Sequence, residues 1–264
     1  MTPLTNYFAH RTAAERYAES RPYIHPFIVD HIRALTGIEN FGDVLDVGCG
    51  TGQSTRAVAQ IARRVVGIDN SADMLAHSAP LPRVEYQRAD AELLPFADSS
   101  FDLITVGLAF HWFDQPRFLR EARRVLKPAG WLVVYNFGCT GEMQGPPDFR
   151  RWFVESYLRR YPTPPRAPQG VTDELASSCG LKLLNREVVK HGVSMSRDQF
   201  AEFLLTQSNV IVAVEEGAQQ LDDVAAFLTT EMAPYFREQS ATMEFRIEMV
   251  YLQPVNGASD RLSR

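Results

Sequence analysis

The chain has 264 residues, with 27 Lys and Arg against 32 Asp and Glu, a formal net charge of −5. That length suits one large α/β domain or a domain with a modest appendage. Mild acidity without a block of like charge argues against nucleic acid or a membrane surface as a partner. Cys49, Cys139 and Cys179 stand far apart, so a disulfide framework or a zinc site is not expected, no metal is implied, and a reducing compartment fits.

The first residues, MTPLTNYFAHRTAAERY, lack an apolar core followed by small residues, and no stretch approaches a membrane span. A cytoplasmic protein is expected. Residues 1–40 read as a helical lid, with Ala13, Ala14 and Tyr17 on one helix, Pro22 as a break, and PFIVDHIRAL as a second helix.

From Phe41 to Phe137 short apolar runs alternate with helical patterns. The runs are DVLDV (43–47), RVVGID (64–69), RVEYQRAD (83–90), FDLITVGLAF (101–110) and GWLVVYNF (130–137). Between them lie STRAVAQIA, SADMLAHSA and QPRFLREARRVL, the last with Phe118, Leu119, Ala122, Val125 and Leu126 at helical spacing. Strands alternating with helices predict right-handed crossovers and a parallel sheet, hence an α/β fold. Asp114 is placed to cap the QPRFLREARRVL helix, and KPAG is expected to end it at Lys127.

Beyond Phe137 come helical insertions at about 141–170 and 195–235. They hold DFRRWFVESYLRRY, then the proline-rich PTPPRAP, and later SRDQFAEFLLTQSNVIVAVEE and AQQLDDVAAFLTTEM. TDELASSCG reads as a helix ended by Gly180, and LKLLNREVVKH as a strand. MEFRIEMVYLQ places Phe245, Ile247, Met249 and Tyr251 at alternate positions, with the charged Glu244, Arg246 and Glu248 preceding the first three, the pattern of a half-exposed strand. Residues 41–255 thus make the main domain, and 256–264 a tail.

The chemistry concentrates in VLDVGCGTGQS. Glycines at 48, 50 and 52 follow the first strand, but a dinucleotide fingerprint needs glycine where Gln53 stands, and a phosphate loop would end in Gly-Lys-Ser/Thr. Asp46 would repel a phosphate and welcome a positive group. Asp69 ends the second strand, where a carboxylate can accept from both hydroxyls of a ribose, and Asp90 follows the third. Three acids along the carboxyl ends of successive strands imply a ligand that is nucleoside-like at one end and cationic at the other.

VLDVGCGTGQS, VVGIDNSADML, RADAELLPFADSSFDLI and FLREARRVLKPAGWLVV resemble, in order and spacing, the motifs of class I S-adenosylmethionine-dependent methyltransferases of the type 11 small-molecule group. The resemblance implies a Rossmann-like, seven-stranded, mostly parallel sheet with an antiparallel last strand, and S-adenosylmethionine as cofactor. It implies that Gly48, Cys49, Gly50 and Gly52 let the backbone approach the methionine part, with Asp46 near its ammonium. Asp69 would hold the ribose diol, Asn70 and Met74 would pack on the adenine, and Asp90 and Ala91 would read its amino edge. Gly107, Leu108 and Ala109 would border the sulfonium. RYAESRPYIHPF and AFHWFD are similar to segments of trans-aconitate methyltransferase relatives, which would bring Tyr17 and Arg21 to the cofactor or to an anionic substrate.

The expected activity is methyl transfer to a small molecule, at oxygen first, a carboxylate included. The alternatives are a carbon or phenol methyltransferase of quinone or natural-product type, and a non-catalytic cofactor-binding regulatory module. An ionised carboxylate needs no base. For other acceptors His111 is the one histidine the sequence positions at the mouth, as base or as pocket wall. A small-molecule substrate, no nucleic acid, no membrane, and a monomer or homodimer complete the reading.

Overall fold

The structure is a computed structural model and describes residues 20–164, 170–215, 217 and 219–255. Its strands are β1 Phe41–Val47, β2 Ala62–Asp69, β3 Val84–Arg88, β4 Phe101–Gly107, β5 Leu126–Met143, β6 Leu181–Ser196 and β7 Ser240–Pro254. They form one seven-stranded sheet in the order β3-β2-β1-β4-β5-β7-β6. β1 pairs parallel with β2 and with β4, β2 with β3, and β4 with β5.

β7 runs against both its neighbours. Gln144 N–H donates to Thr242 O and Thr140 Oγ to Glu244 O, so β5 positions rise as β7 positions fall. Across β6 and β7 the partners Arg186 with Glu248, Lys190 with Glu244 and Ser194 with Ser240 run in opposite senses too. The antiparallel last strand is therefore present as expected.

The helices are α1 His25–Thr36, α2 Gln53–Val58, α3 Ala72–Ala76, α4 Gln115–Val125, α5 Phe149–Trp152, α6 Asp173–Ser178, α7 Arg197–Leu205, α8 Ser208–Glu215 and α9 Leu221–Met232. Among the described residues none is long and apolar enough to cross a membrane. α5 continues as a π-helix over Phe153–Leu158.

The chain divides into two compact units. The first comprises Tyr23–Asn136 with the described residues 170–187 and 248–255. Its core is the β-branched and aromatic face of β1, β2 and β4 packed on the apolar stripe of α4, where Phe118, Leu119, Ala122 and Val125 are all fully buried. Asp114 caps α4 by accepting from Arg117 N–H, which satisfies one of the orphan donors of its first turn. The second unit comprises the described residues 20–22, 137–164 and 188–247 and is cored by aromatic side chains, among them Phe149, Trp152, Phe200, Phe203 and Phe245.

Several boundaries differ from expectation. Of the expected lid over residues 1–40, residues 1–19 lie outside the described residues. α1 buries Ile28, Val29 and Ile32 and belongs with the sheet, and the division falls after Pro22. KPAG does not separate helix from strand. Phe101 pairs with Leu126 and Leu103 with Trp131, so the segment bulges within β5. The long helical pattern from Ser196 breaks after Leu205, where Thr206 turns its N–H and its hydroxyl back onto Phe203 O, both as in a tightened last turn.

Candidate functional site

The site is built at the carboxyl ends of β1, β2 and β4, within the first unit. Val47 ends β1, and the chain turns through Gly48, Gly50 and Gly52 with φ of +68°, +56° and +82°. Glycines fall at every second position because each of these turns lies in the left-handed region, where a Cβ is strained. Space forbids side chains as well. A Cβ on Gly48 would stand 2.4 Å from the Ala109 methyl, and one on Gly52 2.4 Å from the Tyr86 hydroxyl. At Gly50 it would meet the Met74 Cε at 3.0 Å.

The loop is held from below. Gly48 and Cys49 N–H both donate to Ile68 O, and Gly50 N–H donates to Asp69 Oδ2 at 2.9 Å. Asp69 Oδ1 accepts from Ser71 N–H at 2.9 Å, so one carboxylate ties the glycine turn to the start of α3. With the Asn70 N–H as a third backbone donor, the carboxylate still keeps lone-pair capacity. Burial raises the Asp69 pKa, offset in part by these backbone donors.

Asp46 is fully buried, and three hydroxyls converge on it: Ser54 at 2.5 Å, Thr55 at 2.6 Å and Thr105 at 2.8 Å. Burial still raises its pKa, and those hydrogen bonds offset part of the rise. Its oxygens bind α2 and β4 to the turn. Cys49 is buried beside these acids, which together with desolvation push its thiol well above the usual range. Thr51 Oγ is buried in the loop without a hydrogen-bond partner, a position that a polar ligand group would satisfy.

The remaining expected residues are placed as follows. Ala91 and Met74 are buried, while Asn70 and Asp90 are exposed. Leu108 has φ +58° and donates its N–H to Tyr135 O, and Ala109 packs on Gly48. His111 is buried in the short helix Phe110–Trp112, its ring 4.6 Å from that of Trp112. Arg21 belongs to the other unit, where it donates to Thr206 O at 3.0 Å and lies over the Phe203 ring. Tyr17 lies outside the described residues. No group of three or more metal-binding side chains occurs among the described residues.

Sequence reasoning missed Tyr86, His25 and Tyr135. Tyr86 covers Gly52 and Gly67 from β3, and burial pushes its hydroxyl up to about 12. His25, the first residue of α1, bonds through Nδ1 to the Tyr135 hydroxyl at 2.9 Å, and the Tyr135 ring lies across Gly107. Alternation within RVEYQRAD could have flagged Tyr86, but nothing local links His25 to residue 135.

A family model described as a methyltransferase domain matches residues 45–134, the span from β1 into β5 that carries this loop. Residues 45–134 are thus similar to a methyltransferase domain. The match falls on the motifs that resemble class I S-adenosylmethionine-dependent methyltransferases. The chain is 43% identical over 121 residues to a malonyl-[acyl-carrier protein] O-methyltransferase of Pectobacterium atrosepticum, covering 45% of this chain and 46% of that protein. It is 36% identical over 137 residues to a demethylmenaquinone methyltransferase of Renibacterium salmoninarum, covering 51% and 54%. The chain thus spans about half, or less, of the length of the curated relatives it matches. A solved structure described as a type II methyltransferase, from Anaeromyxobacter dehalogenans, superposes with a TM-score of 0.64 at 24% identity, covering 86% of this chain and 96% of that one. At that identity the likeness speaks for the fold.

Proposed function

We propose that the chain is an S-adenosylmethionine-dependent methyltransferase acting on a small-molecule acceptor, at oxygen first, a carboxylate included. The observation that carries this is the glycine turn with the Asp69 carboxylate beneath it, at the carboxyl edge of a parallel sheet where such folds bind ligands. When bound, the cofactor supplies a methyl group on a cationic sulfur that is already activated. The protein's task is then alignment and exclusion of water.

In this reading the turn at Gly48, Cys49, Gly50 and Gly52 admits the methionine end at backbone distance, and the Thr51 hydroxyl gains a partner. Asp69 accepts the ribose hydroxyls on its remaining lone pairs. Asn70 and Met74 border the adenine, Asp90 and Ala91 its amino edge, and Gly107, Leu108 and Ala109 the reacting carbon. Asp46 acts through the loop, by holding its two ends on one carboxylate. His111 is the sequence's candidate base.

A second reading, a quinone-type carbon or phenol methyltransferase, is supported by the similarity to the demethylmenaquinone methyltransferase. The deciding experiment is calorimetric titration with S-adenosylmethionine and its demethylated product, followed by a labelled-methyl screen over carboxylates, phenols and amines. Absence of binding sinks both readings. Transfer to a carboxylate that survives His111→Ala selects the first, and transfer to a phenol or carbon selects the second. Binding with transfer to none of them favours a regulatory module.

A further inference from the structure

We propose that Tyr135 is the catalytic proton acceptor for a hydroxyl-bearing acceptor molecule and that His25 is the positioning residue acting through it. The proposal rests on the methyltransferase reading above and moves the proton-handling role away from His111.

Four observations within one unit carry it. Gly107 ends β4, beside the segment Leu108–Ala109 that packs on the glycine turn, and its backbone partner in the sheet is Tyr135. A Cβ at position 107 would stand 2.5 Å from both Cζ and the hydroxyl oxygen of Tyr135, so the missing side chain is what lets that hydroxyl lie over the end of β4. The hydroxyl is hydrogen-bonded to His25 Nδ1 at 2.9 Å, and with Nδ1 unprotonated the phenol donates to it. Finally, Tyr135 is 1% and His25 6% exposed, so the pair is shielded from the bulk water that would otherwise take the proton.

The arrangement is a phenol backed by an imidazole, a nucleophile-and-base geometry applied here to proton transfer. His25 is fixed by its place at the first turn of α1, next to Pro26, and by the T-shaped approach of its ring to Tyr135 at 5.8 Å. The Tyr23 ring also lies 6.1 Å from the His25 ring and is itself capped by the Arg56 guanidinium from α2 at 4.0 Å. Thus the pair is linked to the helix that follows the glycine turn. In the step assigned to it, the acceptor's O–H bond breaks and its proton passes to Tyr135 Oη, whose own proton passes to His25 Nδ1. The acceptor oxygen's freed pair forms the bond to the methyl carbon, and the electrons of the broken carbon–sulfur bond stay on sulfur. His25 is left as imidazolium and returns its proton to solvent after product leaves. The substrate class this fits is a phenol or alcohol, since a carboxylate has no proton to give at neutral pH.

The test uses the full chain and S-adenosylhomocysteine, the demethylated product, whose binding is first measured by calorimetry. With it bound, 4-nitrophenol in mildly acidic buffer reports the pair through the visible band of its phenolate. The phenolate-to-phenol ratio of bound probe is expected to rise about tenfold over buffer, equivalent to one pKa unit. Tyr135→Phe keeps the ring over Gly107 and should return the ratio to that of buffer with S-adenosylhomocysteine affinity unchanged, and His25→Gln should do the same. An unchanged band in the wild type overturns the assignment, as does a rise that survives Tyr135→Phe. Loss of the rise in His111→Ala but not in Tyr135→Phe hands the role back to His111. Failure to bind S-adenosylhomocysteine sinks the methyltransferase reading instead.

Discussion

The hydroxyl of Tyr86 lies 2.4 Å from the point where a Cβ on Gly52 would stand, so a β3 side chain and the last turn glycine occupy one space between them. Gly52 also has φ +82°. Gly52→Ala is therefore expected to cost about 2–4 kcal/mol, the left-handed strain plus the overlap. In a Tyr86→Ala background the overlap part should vanish and the same substitution should cost about 1–2 kcal/mol. Denaturant unfolding of the four proteins of this cycle measures it, and equal costs in both backgrounds would refute the contact.

Asp69 is expected to matter most for ligand affinity. Asp69→Asn presents an amide N–H₂ to a backbone donor, Gly50 N–H or Ser71 N–H, and leaves it unsatisfied. Affinity for S-adenosylmethionine should fall at least about tenfold, the equivalent of one hydrogen bond to a charged group. Calorimetry decides, and a variant that binds as the wild type does would remove Asp69 from the site.

Asp46 should matter most for stability. Asp46→Ala leaves the hydroxyls of Ser54, Thr55 and Thr105 buried without their acceptor, and a loss of about 2–4 kcal/mol is expected. Thermal unfolding without ligand is the measurement. A loss below about 0.5 kcal/mol would show that the three hydroxyls find other partners.

Glu121 carries a pH dependence. Its carboxylate accepts from the Arg124 guanidinium and from Leu94 N–H, and the Arg124 bond, followed by the backbone bond, holds its pKa below the usual value despite some burial. A carboxylate whose folded pKa is depressed adds stability above its unfolded pKa and loses it as pH falls through the folded one. Glu121→Gln should thus cost about 1 kcal/mol at neutral pH and flatten the acid limb of the stability curve. Parallel acid limbs for variant and wild type would contradict this.

Much of the fold was readable because its signals are local. The five apolar runs and the two later expected strands became seven strands, and Asp114 and Gly180 punctuate α4 and α6 as their residue types predict. Where the structure departs, a distant partner decided. β5 continues to Met143 and β6 to Ser196 because each pairs along β7, and pairing partners leave no mark on a strand's own periodicity. Residues 23–40 join the sheet because the apolar stripe of α1 is buried there, which no count of helical residues could assign.

The sequence by itself determined the parallel α/β core, the glycine turn and the acid at the end of β2. Each follows from steric rules or hydrogen-bonding capacity that act within a few residues: left-handed turns need glycine, and a carboxylate at a strand end meets the backbone donors of the next turn. Only the tertiary structure decided what Asp46 faces, that Tyr86 covers Gly52, and that His25 meets Tyr135, 110 residues away. Those are encounters between side chains on separate elements, fixed by sheet order and helix packing, and a linear pattern carries neither.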